Sequence, residues 1–374
     1  MQAVEEARTA TEITWNDWRA LAELELAQRA WEGWDAQGVA LPRLSSWSEW
    51  DAFCARLDAL PRALRAAQAQ PQQLADIKAA RRSAEHRYAV GACAATLQRR
   101  IRQAWAGRCA GGDVPGALER LSLALLEEQG GRFETAQLAR RWLSCLPYLS
   151  LKGAERVTYA YLVREGTTWE AAASRNPYRE CASALTRGVL YGLVCPGRPA
   201  EAAELAWQDA RMSHTGSGLY SAMFVAASLA VAFVASDPEE VLYVGAGEVP
   251  DASPLYEAVM SLLAARRKGA PPAEAAAAAL DFRGRPLPAG HALRAVGLVA
   301  YALLWGDGQV RRALQCIDDA QCGGEDLAGA VAKGVAGAIL GALDVDDGSY
   351  SLPAGLEELA ARTEALARTH VAAA

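Results

Sequence analysis

The chain has 374 residues, of which 52% are hydrophobic, and a formal net charge of −6. That balance predicts a large packed core and excludes a disordered chain or a nucleic-acid-coating surface. Four His and eight Cys without a CxxC pair argue against zinc, and scattered cysteines point to reduced thiols in a cytoplasmic protein.

The start, MQAVEEARTATEITW, lacks the basic and apolar regions of a signal peptide. Eleven Trp are present, six of them before residue 51, and are read as helix-packing anchors. Trp15, Trp18, Leu21, Leu24, Trp31 and Trp34 follow a helical stripe, which Pro42 and Ser45–Ser46 interrupt and 47–60 resumes. After Pro61 and a polar interval, 77–106 is basic and amphipathic, which reads as a solvated helix face rather than a nucleic-acid site.

Further helix starts are marked by Pro199 followed by Glu201 and Glu204, by Asp237-Pro238-Glu239-Glu240, and by Ser253-Pro254. The longest apolar run, 219–235, falls short of the ~20 residues needed to span a membrane and predicts a buried core helix. Gly329, Gly334, Gly337 and Gly341 predict close helix packing, since each costs about 1 kcal/mol of helix propensity. Period-two strand patterns are scarce. The expectation is an all-α protein, with a Trp-rich helical extension over 1–90 and a helical core over 91–374.

Asn-Pro-Tyr-Arg-Glu at 176–180, the Pro-Gly-x-Pro break at 196–199 and Ala-Glu-Leu-Ala-x-x-Asp-Ala at 203–210 stand in fixed order. The loop Ser-His-Thr-Gly-Ser-Gly-Leu-Tyr at 213–220 follows them. With 101–111, the LERLSLALLEEQG segment at 118–130 and the Gly-rich stretch 323–342, these blocks resemble the ADP-ribosylglycohydrolase family. The resemblance covers about 95–345 and implies an orthogonal helical bundle. It also implies hydrolases that cut the N-glycosidic bond of ADP-ribosylated substrates with two magnesium ions.

The family's acidic clusters are largely missing. Where the first belongs, the chain reads Gly-Asp-Val-Pro-Gly-Ala at 112–117, leaving Asp113 as a carboxylate and Glu119 near the usual Thr. Where the second belongs, it reads Gly323-Gly324-Glu325-Asp326-Leu327-Ala328. Val114, Pro115, Leu327 and Ala328 offer no side-chain oxygen, so near-octahedral magnesium coordination is not expected, and neither is another cofactor. Asp113, His214, Glu325 and Asp326 are the acid–base candidates that remain. Ser213, Gly216, Gly218, Tyr220, Gly323 and Gly324 are the candidate ligand contacts, with the 213–220 loop facing the 323–326 turn.

Asn176, Tyr178, Arg179 and Glu180 read as a structural ion-pair cluster, with Arg179 on an anionic ligand as the alternative. Asp344-Val345-Asp346-Asp347 resembles the acid motif of alkene-protonating cyclases or half a calcium loop. Three functions follow. The first is a metal-free binding protein for a nucleotide, ADP-ribose-like or other small molecule. The second is a repurposed metal-independent enzyme of specialised metabolism. The third is a magnesium-dependent glycohydrolase with substituted ligands. The partner expected is a small molecule, with no nucleic acid and no membrane; the oligomeric state stays open.

Overall fold

The computed structural model describes residues 15–36, 38–62, 70–82, 94–164, 168–235, 237–320, 326–344 and 350–372. Eighteen α-helices lie among them, and the only sheet is a two-stranded hairpin, β1 (Asp281–Phe282) with β2 (Arg285–Pro286). The all-α expectation holds. Among the described residues no helix is long and apolar enough to cross a membrane.

The centre of the core is α11, Gly216–Ala232, in which every residue is buried. A helix apolar on all faces is stable in water only when surrounded. It is surrounded here by α9 (Ser183–Val194), α10 (Pro199–Ala210), α12 (Pro238–Gly247) and α17 (Leu327–Leu343). Small residues set the spacing, because a Cβ added at Gly188 would stand 2.6 Å from the Ala222 carbonyl.

The glycines of α17 meet α4 (Ala94–Ala110) along its length. Gly337 lies against the backbone of Gly107, and Gly341 against Gln103 and Ala104. The propensity lost at these glycines is offset by backbone-to-backbone packing.

The remaining helices enclose this centre. They are α5 (Ala117–Glu128), α6 (Thr135–Cys145), α7 (Gly153–Leu162) and α8 (Trp169–Ser174) on one side. On the other are α13 (Pro254–Arg267), α14 (Pro272–Ala279), α15 (Ala292–Trp305), α16 (Val310–Asp319) and α18 (Glu357–Ala372).

The amino-terminal extension contributes α1 (Trp15–Trp31), α2 (Trp47–Asp58) and α3 (Leu74–Ala80). Trp18, Trp50, Phe53, Cys54 and Leu57 form a second apolar cluster that closes on Val157 and Tyr161 of α7 and Ala172 of α8. The Trp50 indole donates to the Tyr161 hydroxyl at 2.6 Å, so this buried polar pair is satisfied. Trp18 and Trp50 are the packing anchors expected from sequence. Trp31 also packs on the main core and against His291, and with Trp34 it lines a cleft between the extension and the core.

Candidate functional site

The turn between α4 and α5 keeps Asp113, the carboxylate left where the first acidic cluster belongs, but not as a free ligand. The last turn of α4 instead sends a guanidinium into it. Arg108, 1% exposed, donates from Nε to Asp113 Oδ2 at 2.7 Å and from Nη2 to Glu119 Oε1 at 2.6 Å. The other Glu119 oxygen accepts the Gly116 N–H at 2.8 Å, capping α5. Burial would lower the Arg108 pKa and raise that of Glu119, but their mutual attraction outweighs it, so Arg108 is raised and Glu119 lowered. A fixed positive charge therefore sits between the two carboxylates left in this turn.

At the second turn, Asp326 caps α17. Its Oδ1 accepts the N–H groups of Ala328 at 3.0 Å and Gly290 at 3.1 Å, and its Oδ2 accepts Arg294 Nε at 2.7 Å. Gly323, Gly324 and Glu325 lie outside the described residues, as do Val345, Asp346 and Asp347. Asp344 ends α17 in the left-handed conformation and pairs with Arg99.

The two turns do not converge. A Cβ added at Gly334 would stand 2.6 Å from the Asp113 Cβ, which places Asp113 beside Gly334. Asp326 is eight residues back along α17, about 12 Å at 1.5 Å per residue. Two catalytic magnesium ions sit about 4 Å apart and need carboxylate oxygens that are free to reach both. Asp113 and Glu119 share Arg108, Asp326 stands apart from them, and all three are already committed to arginines or backbone N–H groups. They do not fit the magnesium pair that the family implies.

His214 and Ser213 are fully buried behind the amino-terminal end of α9. Arg187 Nη2 donates to Ser213 Oγ at 2.7 Å, and Ser213 Oγ lies 2.8 Å from His214 Nδ1. His214 Nε2 faces Ser183 Oγ at 3.2 Å and Cys181 Sγ at 3.4 Å, and Ser183 donates to Glu155 at 2.8 Å. An arginine can only donate and an ionised carboxylate only accept. Arg187 Nη2 also faces Nδ1 at 3.3 Å, so Nδ1 accepts, and because Ser183 spends its proton on Glu155 the ring proton sits on Nε2. Burial, then the neighbouring Arg187, holds the His214 pKa well below its usual value, and burial raises the Cys181 thiol to about 11. His214 is thus a neutral donor in a relay, without the free lone pair of a general base.

Glycine and tyrosine in the 213–220 loop have internal partners. Ser217 N–H donates to Glu180 Oε1 at 3.0 Å and Gly216 N–H to Gln72 at 3.3 Å, so these two N–H groups already hold side chains. Gly216 has φ +50 and a Cβ there would strike the Glu180 carboxylate; Gly218 packs on the Arg179 carbonyl. Tyr220 is buried and donates to the Pro71 carbonyl at 2.6 Å. Glu180 also meets His291 at 3.2 Å and Gln28 at 3.1 Å, and these partners outweigh burial to lower its pKa. Arg179 pairs with Glu25 and Glu32 at 2.6 and 2.7 Å.

These contacts wall a cleft of about 790 Å³ between α1 and the core. Thr215, Gly216, Ser217, Arg179 and Glu180 form one side; Trp31, Glu32, Trp34 and Arg62 form the extension's side. Phe282, Arg283 and Arg285 come from the hairpin. The size and the mix of aromatic and charged walls suit a small-molecule site. Asp113, His214 and Asp326 do not line it. Arg108, Arg187, Arg62 and Arg285 escaped the sequence reading, since arginine is common and its partners here lie far off in the chain.

The fold is an all-α bundle in which the two acidic turns stand apart along α17. The ADP-ribosylglycohydrolase family model matches residues 117–372, and the chain belongs to that family. The match starts later than the resemblance suggested and runs on through α18, leaving α1 to α4 outside it. Nothing among curated proteins matches the chain.

Proposed function

We propose that this chain is a non-hydrolytic member of the family that binds a nucleotide or ADP-ribose-like small molecule without a magnesium pair. The observation that supports this most is the neutralisation of the surviving acidic residues: Arg108 holds Asp113 and Glu119, and Arg294 holds Asp326. A guanidinium supplies fixed charge but accepts no oxygen ligand and cannot activate a water. The cleft beside Thr215, Gly216 and Ser217 is the ligand's place in this reading.

The test pairs activity with binding. Purified protein, with millimolar magnesium or manganese, is expected to leave ADP-ribosyl-arginine and ADP-ribosyl-serine peptides intact. It is expected to bind ADP-ribose in calorimetry and recover it unchanged. Magnesium should not raise the melting temperature, because a ligand held only by the folded state would. Metal-dependent release of ADP-ribose would refute the proposal in favour of a working glycohydrolase.

A further inference from the structure

We infer that Arg62 and Arg285 form a pyrophosphate-binding pair at the mouth of the cleft, so that the amino-terminal extension takes part in ligand recognition. The inference deepens the binding function proposed above and rests on it for the nature of the whole ligand.

Five arginines line the cleft, and their partners divide them. Arg29 is held by Glu25 and Asp58, Arg179 by Glu25 and Glu32, and Arg283 by Glu257. Arg62 and Arg285 have no carboxylate partner among the described residues. Each is instead laid on a tryptophan. The Arg285 guanidinium carbon is 4.6 Å from the Trp31 ring centre, and that of Arg62 is 5.2 Å from the Trp34 ring centre. Arg62 spends its Nε on the Glu32 carbonyl at 3.2 Å, which leaves both of its Nη groups for another acceptor.

A guanidinium stacked on an indole keeps its plane fixed and its N–H edge outward, so little side-chain freedom remains to be lost on binding. That edge matches two phosphate oxygens at once. Trp31 and Trp34 are three residues apart at the end of α1, which brings two such edges to one cleft. Two unclaimed charges lining one cleft match the two phosphoryl groups of a diphosphate better than one carboxylate.

The carboxylates in the same cleft do not oppose an anion. Glu32 and Asp58 are paired with Arg179 and Arg29, and Glu180 is tied to His291, Gln28 and the Ser217 N–H. Because Glu180 fills the amino-terminal end of α11, the anion's place is at the arginines and not on that helix. Ala252, Pro254 and Leu293 supply apolar wall for the organic part of the ligand.

The experiment is calorimetry on the full chain with inorganic pyrophosphate, ADP and adenosine, at 50 and 300 mM salt. Pyrophosphate and ADP are expected to bind, more weakly at the higher salt. Arg285→Ala and Arg62→Ala should each weaken ADP about tenfold or more, the worth of one charge-assisted contact, and the double variant further. Both side chains are exposed, so unchanged melting temperatures should accompany the loss. Arg267→Ala, an exposed arginine paired with Glu239 away from the cleft, should bind as the wild type does. No binding of pyrophosphate or ADP, or affinity unchanged in the double variant, overturns the inference. So does an equal loss in Arg267→Ala, which would report only general charge. Metal-dependent hydrolysis by the wild type would refute the parent proposal while leaving the arginine dependence of pyrophosphate affinity as a separate result.

Discussion

Replacing Arg108 by Met tests whether the buried guanidinium is what holds the first acidic turn together. The change removes a side chain 1% exposed and leaves the Glu119 carboxylate buried with only the Gly116 N–H. Breaking a buried pair from one side costs about 3–5 kcal/mol. At about 2.1 cal/mol/K per residue the unfolding entropy of this chain is near 0.8 kcal/mol/K, so the melting temperature should fall by about 4–6 °C.

The dependence on pH should also reverse. In the wild type Arg108 keeps the Glu119 pKa below its unfolded value, so this stabilisation is present above about pH 4.3 and lost as pH falls through the folded value. Without Arg108, burial dominates and raises the folded pKa. Stability is then kept below the unfolded value and lost as pH rises through the folded one, so Arg108→Met should be less impaired at pH 5 than at pH 8. Adding Glu119→Gln keeps an acceptor for Gly116, removes the stranded charge and should recover most of the loss. Urea unfolding of the three proteins at both pH values measures this. A loss at pH 8 below about 0.5 kcal/mol, the size of a neutral surface change, would refute the reasoning.

Three further outcomes are expected. His214 is neutral when folded and its pKa is lowered, so the wild type should lose stability as pH falls below the unfolded value near 6.5. His214→Asn should flatten that slope by about 1.4 kcal/mol per pH unit, and an unchanged slope in urea titrations would show that His214 takes up its proton normally. Gly107→Ala drives a methyl group into the Gly337 backbone and should destabilise by about 3 kcal/mol, read from chemical denaturation; a neutral result would mean that α4 and α17 can separate. A chain starting at residue 70 exposes Val157, Tyr161 and Ala172 and leaves Arg179 without Glu25 and Glu32. It should aggregate or melt early by light scattering, and a monomer of wild-type stability would show the extension to be dispensable.

The helices are legible in the sequence, because their signals are local. Pro199, Asp237-Pro238 and Ser253-Pro254 start α10, α12 and α13 where the chain places them, and the apolar 219–235 run gives the buried α11. The spaced glycines of α17 announced a close neighbour, although not that Gly107 would be the contact. Family membership was legible in ordered blocks, and so was the thinning of the acidic turns. Only the tertiary structure decided what the remaining charges do. Arg179 meets Glu25 across 154 positions and Glu180 meets His291 across 111, and no local pattern encodes such partners. His214 and Ser213 have the residue types of a catalytic site, and their role turned on which side faces Arg187. Trp31 and Trp34 share the stripe of Trp18, yet α1 ends beside the hairpin, so Trp31 packs only partly on the core and the two rings meet Arg285 and Arg62. Helix formation depends on neighbours within about four residues, whereas the fate of a buried charge depends on whichever distant group shares its low-dielectric surroundings.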